Sequence, residues 1–104
     1  MENNDHLEKI LLQFRSKKVA QVKGYKSFGY IRETKSAVYV TREDGEDTPI
    51  PFKKILVGVE AYKNNPDLYD DGPTELRQFG ITHVTSPIWS ILHLLSKKDY
   101  KKVE

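Results

Sequence analysis

Residues 19–41 read VAQVKGYKSFGYIRETKSAVYVT, and this stretch decides the fold class. Val19 to Lys23, Phe28 to Glu33 and Ala37 to Thr41 are short runs rich in β-branched and aromatic side chains. Gly24 and the Lys35-Ser36 pair punctuate them. Such runs fit a pleated, half-buried surface, and breaks this short join antiparallel neighbours. The reading is a three-stranded antiparallel meander. Glu43-Asp44-Gly45-Glu46 follows as a turn, because Asp-Gly tolerates the positive φ of tight turns. Thr48 to Pro51 can add a short fourth strand, which its prolines confine to the sheet edge.

Helical periodicity flanks the meander on both sides. Leu7, Ile10, Leu11 and Phe14 recur at three/four spacing and predict a helix over 5–16, with Asn4 or Asp5 as its cap. Pro51 opens a second helix over 52–63, with Phe52, Ile55, Leu56, Val59 and Tyr62 on its apolar stripe. Gly58 weakens that helix slightly. Residues 64–72, with Asn-Asn-Pro and Asp-Asp-Gly, have the chemistry of a loop. Pro73 suits the first turn of a short helix ending near Phe79, with Gly80 stopping it. Ser86-Pro87 starts a last helix over 87–96, with Ile88, Ile91, Leu92 and Leu95 inward. The expected fold is α+β: an N-terminal helix, the meander, then three helices whose last two resemble a helix-turn-helix. One domain over 1–104 is expected, with 97–104 as a frayed basic tail.

The chain has no cysteine, which excludes disulfides, thiolate nucleophiles and thiolate metal sites. Residues 1–6 are polar, unlike a signal peptide, and the longest strongly apolar run, 88–95, falls far short of a membrane span. A cytoplasmic protein with no membrane partner is expected; oligomeric state is not legible. The net charge of +2 hides a segregation. Residues 15–42 carry eight basic side chains against Glu33 alone, or +7. Residues 43–75 carry nine acids against three lysines, or −6. If the fold keeps these blocks apart they produce a directional field; otherwise they pair with each other.

Catalytic patterns are incomplete. His6, His83 and His93 lack the spacing of a metal pair on one helix. Glu33-Thr34-Lys35 has the Glu-x-Lys form of metal-dependent nucleases, but no aspartate lies between Leu7 and Thr34 to complete the metal clamp. No nucleophile elbow or phosphate-cradling glycine loop occurs. No enzyme activity, metal or cofactor is expected.

Two binding signals remain. On a regular strand Phe28, Tyr30 and Arg32 share a face, with Lys23 and Lys26 nearby. Exposed rings on a cationic sheet hold single-stranded nucleic acid by base stacking and phosphate neutralisation. Phe28-Gly29-Tyr30-Ile31 followed by Val38-Tyr39-Val40 resembles the paired aromatic motifs of cold-shock domains. Those domains are small β-barrels, whereas the second half of this chain reads as helical. The alternative is that Phe28 and Tyr30 face the core and pack on the first helix.

The second signal is Thr74 to Leu95, where a short helix, a glycine, Ile81 and a capped helix resemble a helix-turn-helix with a lengthened turn. Its second helix would present Thr85, Ser86, Trp89, Ser90 and His93 outward. That set lacks the arginine and lysine usual in base readout, so a plain helical hairpin packing the sheet is the other reading. Trp89 lies off the apolar stripe. It either lines a contact patch or is covered by the 64–72 loop.

The leading expectation is a non-catalytic nucleic-acid-binding domain, for DNA or RNA. Its contacts would come from Lys17, Lys18, Lys23, Lys26, Phe28, Tyr30, Arg32 and Lys35, with Thr85, Ser86, Trp89 and His93 as a secondary patch. The alternative is a protein-interaction module, or a small regulatory subunit, centred on Trp89.

Overall fold

The computed structural model describes residues 3–41 and 47–101. The acidic turn read at 43–46, with Arg42 beside it, and the last tail residues 102–104 lie outside the described residues. In chain order the elements are α1 (Asn3–Lys17), β1 (Val19–Ala20), β2 (Phe28–Glu33), β3 (Ala37–Val40), β4 (Thr48–Pro51) and α2 (Phe52–Asn64). Two 3-10 helices follow, Pro66–Asp70 and Pro73–Phe79, then α3 (Thr85–Leu92) and α4 (Lys97–Tyr100). The architecture is α+β, as the periodicities predict, and the fourth strand is present. No described helix is long and apolar enough to cross a membrane.

The four strands form one antiparallel sheet in the order β1-β2-β3-β4. Val38 of β3 stands opposite Ile50 of β4, and both are fully buried together with Val40. That face receives α1, whose Ile10 and Phe14 are fully buried, and the Phe14 ring meets Tyr30 edge-on at 5.3 Å. Pro49 and Pro51 sit on the edge strand, where a missing amide hydrogen costs no ladder bond.

The register of β2 departs from a regular strand. Tyr30 pairs with Val40 but Arg32 pairs with Tyr39, so Ile31 is an extra residue in a β-bulge. An inserted residue reverses the side-chain alternation beyond it. Phe28 and Tyr30 therefore keep the core face while Arg32 crosses to the outer face, and the three do not share a surface.

The helical half differs from expectation in its details. Pro66–Asp70 is a 3-10 helix where a loop was expected. The Pro73–Phe79 segment has the expected bounds but is also 3-10, and it ends at Gly80 in the left-handed conformation. The last predicted helix is divided: α3 ends at Leu92, and α4 begins after Ser96. A capping box joins Ser96 and Asp99, and the Tyr100 hydroxyl donates to the Leu92 carbonyl. Residues 97–100 are therefore an ordered, partly buried turn of helix rather than a frayed tail, because Tyr100 fills the core.

Seven of the eight residues of α3 are buried, all but Ser86. A helix apolar on every side belongs in the interior. α2 crosses α3 at Gly58, where a Cβ would stand 2.6 Å from the Leu92 Cδ1. Gly58 therefore serves close helix approach, which the sequence reading took for a mere loss of helix propensity. Gly58→Ala gains up to ~1 kcal/mol of helix propensity. It also overpacks a site where Leu92 has no exposed side to move into, at about 1–3 kcal/mol. A net loss is expected, seen as a Tm lowered by several degrees. In the Leu92→Ala background the same substitution should stabilise, because the Cβ then fills vacated space. Additive effects in a double-mutant cycle would disprove the contact.

Candidate functional site

β1 ends at Ala20, and residues 21–27 cross to β2 as a loop carrying Lys23, Tyr25 and Lys26. Gly24 has φ +88°, which lets the loop reverse direction. The Tyr25 amide donates to the Val22 carbonyl, and the Gln21 side chain donates to the Tyr25 carbonyl at 3.0 Å. These bonds hold the Tyr25 ring, 48% exposed, against Trp89 of α3, with centroids 4.6 Å apart and planes tilted by 59°.

Trp89 is 4% exposed, and its indole N–H donates to the Asp71 carbonyl at 3.0 Å. The expected cover is in place, since the 64–72 segment holds its nitrogen, and Tyr25, which was not expected there, lies over its ring. His93 continues the stack. Its ring centroid is 4.4 Å from Trp89 and 4.0 Å from Tyr69. Its Nδ1 lies 2.7 Å from the Trp89 carbonyl oxygen and its Nε2 lies 2.8 Å from that of Tyr69. The Tyr69 hydroxyl in turn donates to the Leu95 carbonyl. This column fixes the 66–71 segment to α3.

Between the loop and α3 lies a cleft of about 310 Å³. Tyr25, Lys26 and Phe28 line it from the sheet side, and Ser86, Trp89 and Ser90 line it from α3. The two binding signals of the sequence, the basic-aromatic stretch and the Trp89 helix, thus meet at one place.

The individual candidates fare differently. Phe28 is 3% exposed and belongs to the core, because β2 must bury that face against α1 and α3. It is not free to stack on a base from the open sheet. Tyr30 is half-buried on the same face, with the Lys18 ammonium 5.5 Å from its ring centroid. Arg32 lies over the Tyr39 ring at 3.9 Å on the outer face. Thr85 is buried and donates to the Ile81 carbonyl, so only Ser86 of α3 is exposed. A helix presenting one residue cannot read a DNA groove, and the recognition-helix expectation fails for that reason. Lys17, Lys23 and Lys35 are exposed and make no ion pair with a described residue. The sequence reading missed Tyr25 and Tyr39. Tyr39 was legible, since it alternates out of phase with Val38 and Val40; Tyr25 sits in a loop, where periodicity carries no information.

Glu33 belongs to a different arrangement. Arg15 grips its carboxylate with two hydrogen bonds, at 2.5 and 2.9 Å, and the Tyr30 hydroxyl donates to it at 2.6 Å. The carboxylate is thereby committed to a structural clamp between α1 and β2. Among the described residues no three His, Asp or Glu side chains gather as a metal site. Comparison of the chain with protein-family models, with characterised proteins and with solved structures gives no match.

The clamp has a pH signature. The Arg15 hydrogen bond, helped by that from Tyr30, holds the Glu33 carboxyl below the ordinary value of 4.5 against the opposing effect of burial. A depressed carboxyl adds stability above its unfolded pKa, and that stability is lost as pH falls through the folded one. Arg15 is half exposed, which limits the pair to about 1 kcal/mol. Glu33→Gln should lower Tm by about 4–8 °C at pH 7. The gap to the parent should close below pH 4.5. A gap that persists to ~pH 2, below most carboxylate pKa values, would show that the charge contributes nothing.

Proposed function

We propose that this domain binds single-stranded nucleic acid, DNA or RNA, in a non-catalytic role. The observation that carries the reading is the shared cleft: the loop bearing Lys23 and Lys26 forms one wall, and the helix bearing Trp89 forms the other. Strand binding needs a cationic track for phosphates beside aromatic surface for bases. Lys17 and Lys18 at the end of α1 and Lys23 and Lys26 in the loop supply exposed cations within ten residues of chain. Lys35, in the β2–β3 connection, lies at the other end of β2, with the Arg32–Tyr39 pair on the outer face between them.

The geometry favours single strands over duplex, because α3 has no open face to enter a groove. Of the nearby acids, Asp67 and Asp70 are engaged by Lys97 at 3.4 and 2.5 Å.

The test is a titration of labelled single-stranded and duplex oligonucleotides at two salt concentrations. Single strands should bind more tightly, and log Kobs should fall with log salt by about 0.7 for each phosphate contacted. Replacing Lys23 and Lys26 together by alanine should flatten that slope by about 1.4 while preserving Tm, since both side chains are exposed. Failure to bind either form at ~50 mM salt, where phosphate contacts are strong, would sink the reading.

A further inference from the structure

We propose that the cleft between the 23–28 loop and α3 is a pocket for one unstacked nucleobase, with the attached phosphate beside Lys26. The inference rests on the strand-binding reading and adds a ligand subsite to it. Three observations carry it: the size of the cleft, the spacing of its rings and an unused hydroxyl.

At about 310 Å³ the cleft lies at the small end of ligand pockets, which span roughly 300–1,000 Å³. It suits one planar ring system and not a run of stacked bases. A base sandwiched between two rings needs them about 7 Å apart, twice the ~3.5 Å contact distance of carbon atoms. Tyr25 and Trp89 stand 4.6 Å apart and touch each other. The base therefore lies beside this pair, against their free edges, and does not pass between them. No rearrangement of Tyr25 is needed.

Ser90 is 2% exposed and lines the cleft. Its hydroxyl makes no hydrogen bond to a described residue, and neither does that of Ser86 one turn earlier. Among the described residues the buried side-chain polar atom left without a partner is the Tyr62 hydroxyl, whereas the Ser90 hydroxyl opens to the cleft, where a ligand can pair with it in place of water. A hydroxyl both donates and accepts, which matches the mixed edge of any nucleobase. The ring edges, chiefly that of the half-exposed Tyr25, supply apolar contact, and Lys26 at the mouth supplies the cation for the phosphate.

Trp89 is the only tryptophan in the sequence, so its fluorescence reports this cleft alone. The experiment is a titration with adenosine and cytidine 5′-monophosphates, the matching nucleosides, indole and inorganic phosphate, beside the labelled strand. Both monophosphates should change Trp89 emission saturably, and each should bind at least threefold more tightly than its nucleoside. Ser90→Ala should weaken monophosphate binding about three- to tenfold, the worth of one neutral hydrogen bond. The same variant should melt no lower than the parent, because it removes a hydroxyl with no partner in the protein. If the strand binds but no monophosphate perturbs Trp89, the pocket is wrong and the strand reading survives. If neither binds, both fail. Indole binding as tightly as the monophosphate would overturn the pocket in favour of an apolar side chain from a protein, and a nucleoside binding as tightly would overturn the phosphate contact at Lys26. Inorganic phosphate binding as tightly as the monophosphate would reduce the cleft to an anion site and overturn it as well.

Discussion

The burial of α3 on every side is the constraint from which the other features follow. An eight-residue helix is about 12 Å long and has no stability of its own in water. It persists because the molecule surrounds it: α2 at Gly58, α1, the edge strand β1, and the segment 66–79. Each neighbour must present a surface without a protruding polar group. Gly58 lets α2 approach closely, and Trp89, His93 and Thr85 turn their polar atoms to backbone carbonyls within reach. The central helix is thus sealed at its polar points by backbone, and Ser86 and Ser90 are the exceptions.

Those exceptions fall where one neighbour is a loop instead of an element. Between β1 and β2 the chain spends seven residues on a reversal that a hairpin could make in two. The extra length carries Tyr25 across to Trp89 and leaves a space behind it. Further along α3 the column Trp89–His93–Tyr69 and the Lys97 pairs with Asp67 and Asp70 hold the 66–71 segment tightly. That part of α3 is closed by many short contacts, while over the cleft the loop contributes the half-exposed Tyr25 ring. A ligand meets least resistance at that cleft.

Elements with strong periodicity were legible in the sequence. The stripes of α1 and α2 place Phe14, Ile55 and Val59 in the core without reference to any structure. What periodicity could not convey was the bulge at Ile31, which leaves no mark in a run of β-formers yet moves Arg32 to the other face of the sheet. It also could not convey that α3 is surrounded. Trp89 and Thr85 look outward on a helical wheel when one inner face is assumed, and that assumption fails for a helix with neighbours all round. The candidate site was legible as two separate signals, and their meeting depends on the path of a loop, which sequence pattern does not encode.

The same loop bears on the balance between charge and stacking in the proposed activity. Of the basic side chains in 15–41, Arg15 is held by Glu33, Lys18 lies over Tyr30 and Arg32 lies over Tyr39. A cation over a ring keeps its charge and can still meet a phosphate, whereas a guanidinium with both faces of its fork on a carboxylate cannot. The effective track is therefore shorter than the formal +7 of residues 15–42 implies. With fewer phosphate contacts, the affinity of a strand depends more on what its bases touch. Sheet faces that bind strands usually offer several rings to the bases, but here β2 turns Phe28 and Tyr30 inward and leaves Tyr39 alone outside. The cleft beside Tyr25 and Trp89 is where this fold keeps the aromatic surface that its sheet has given to the core.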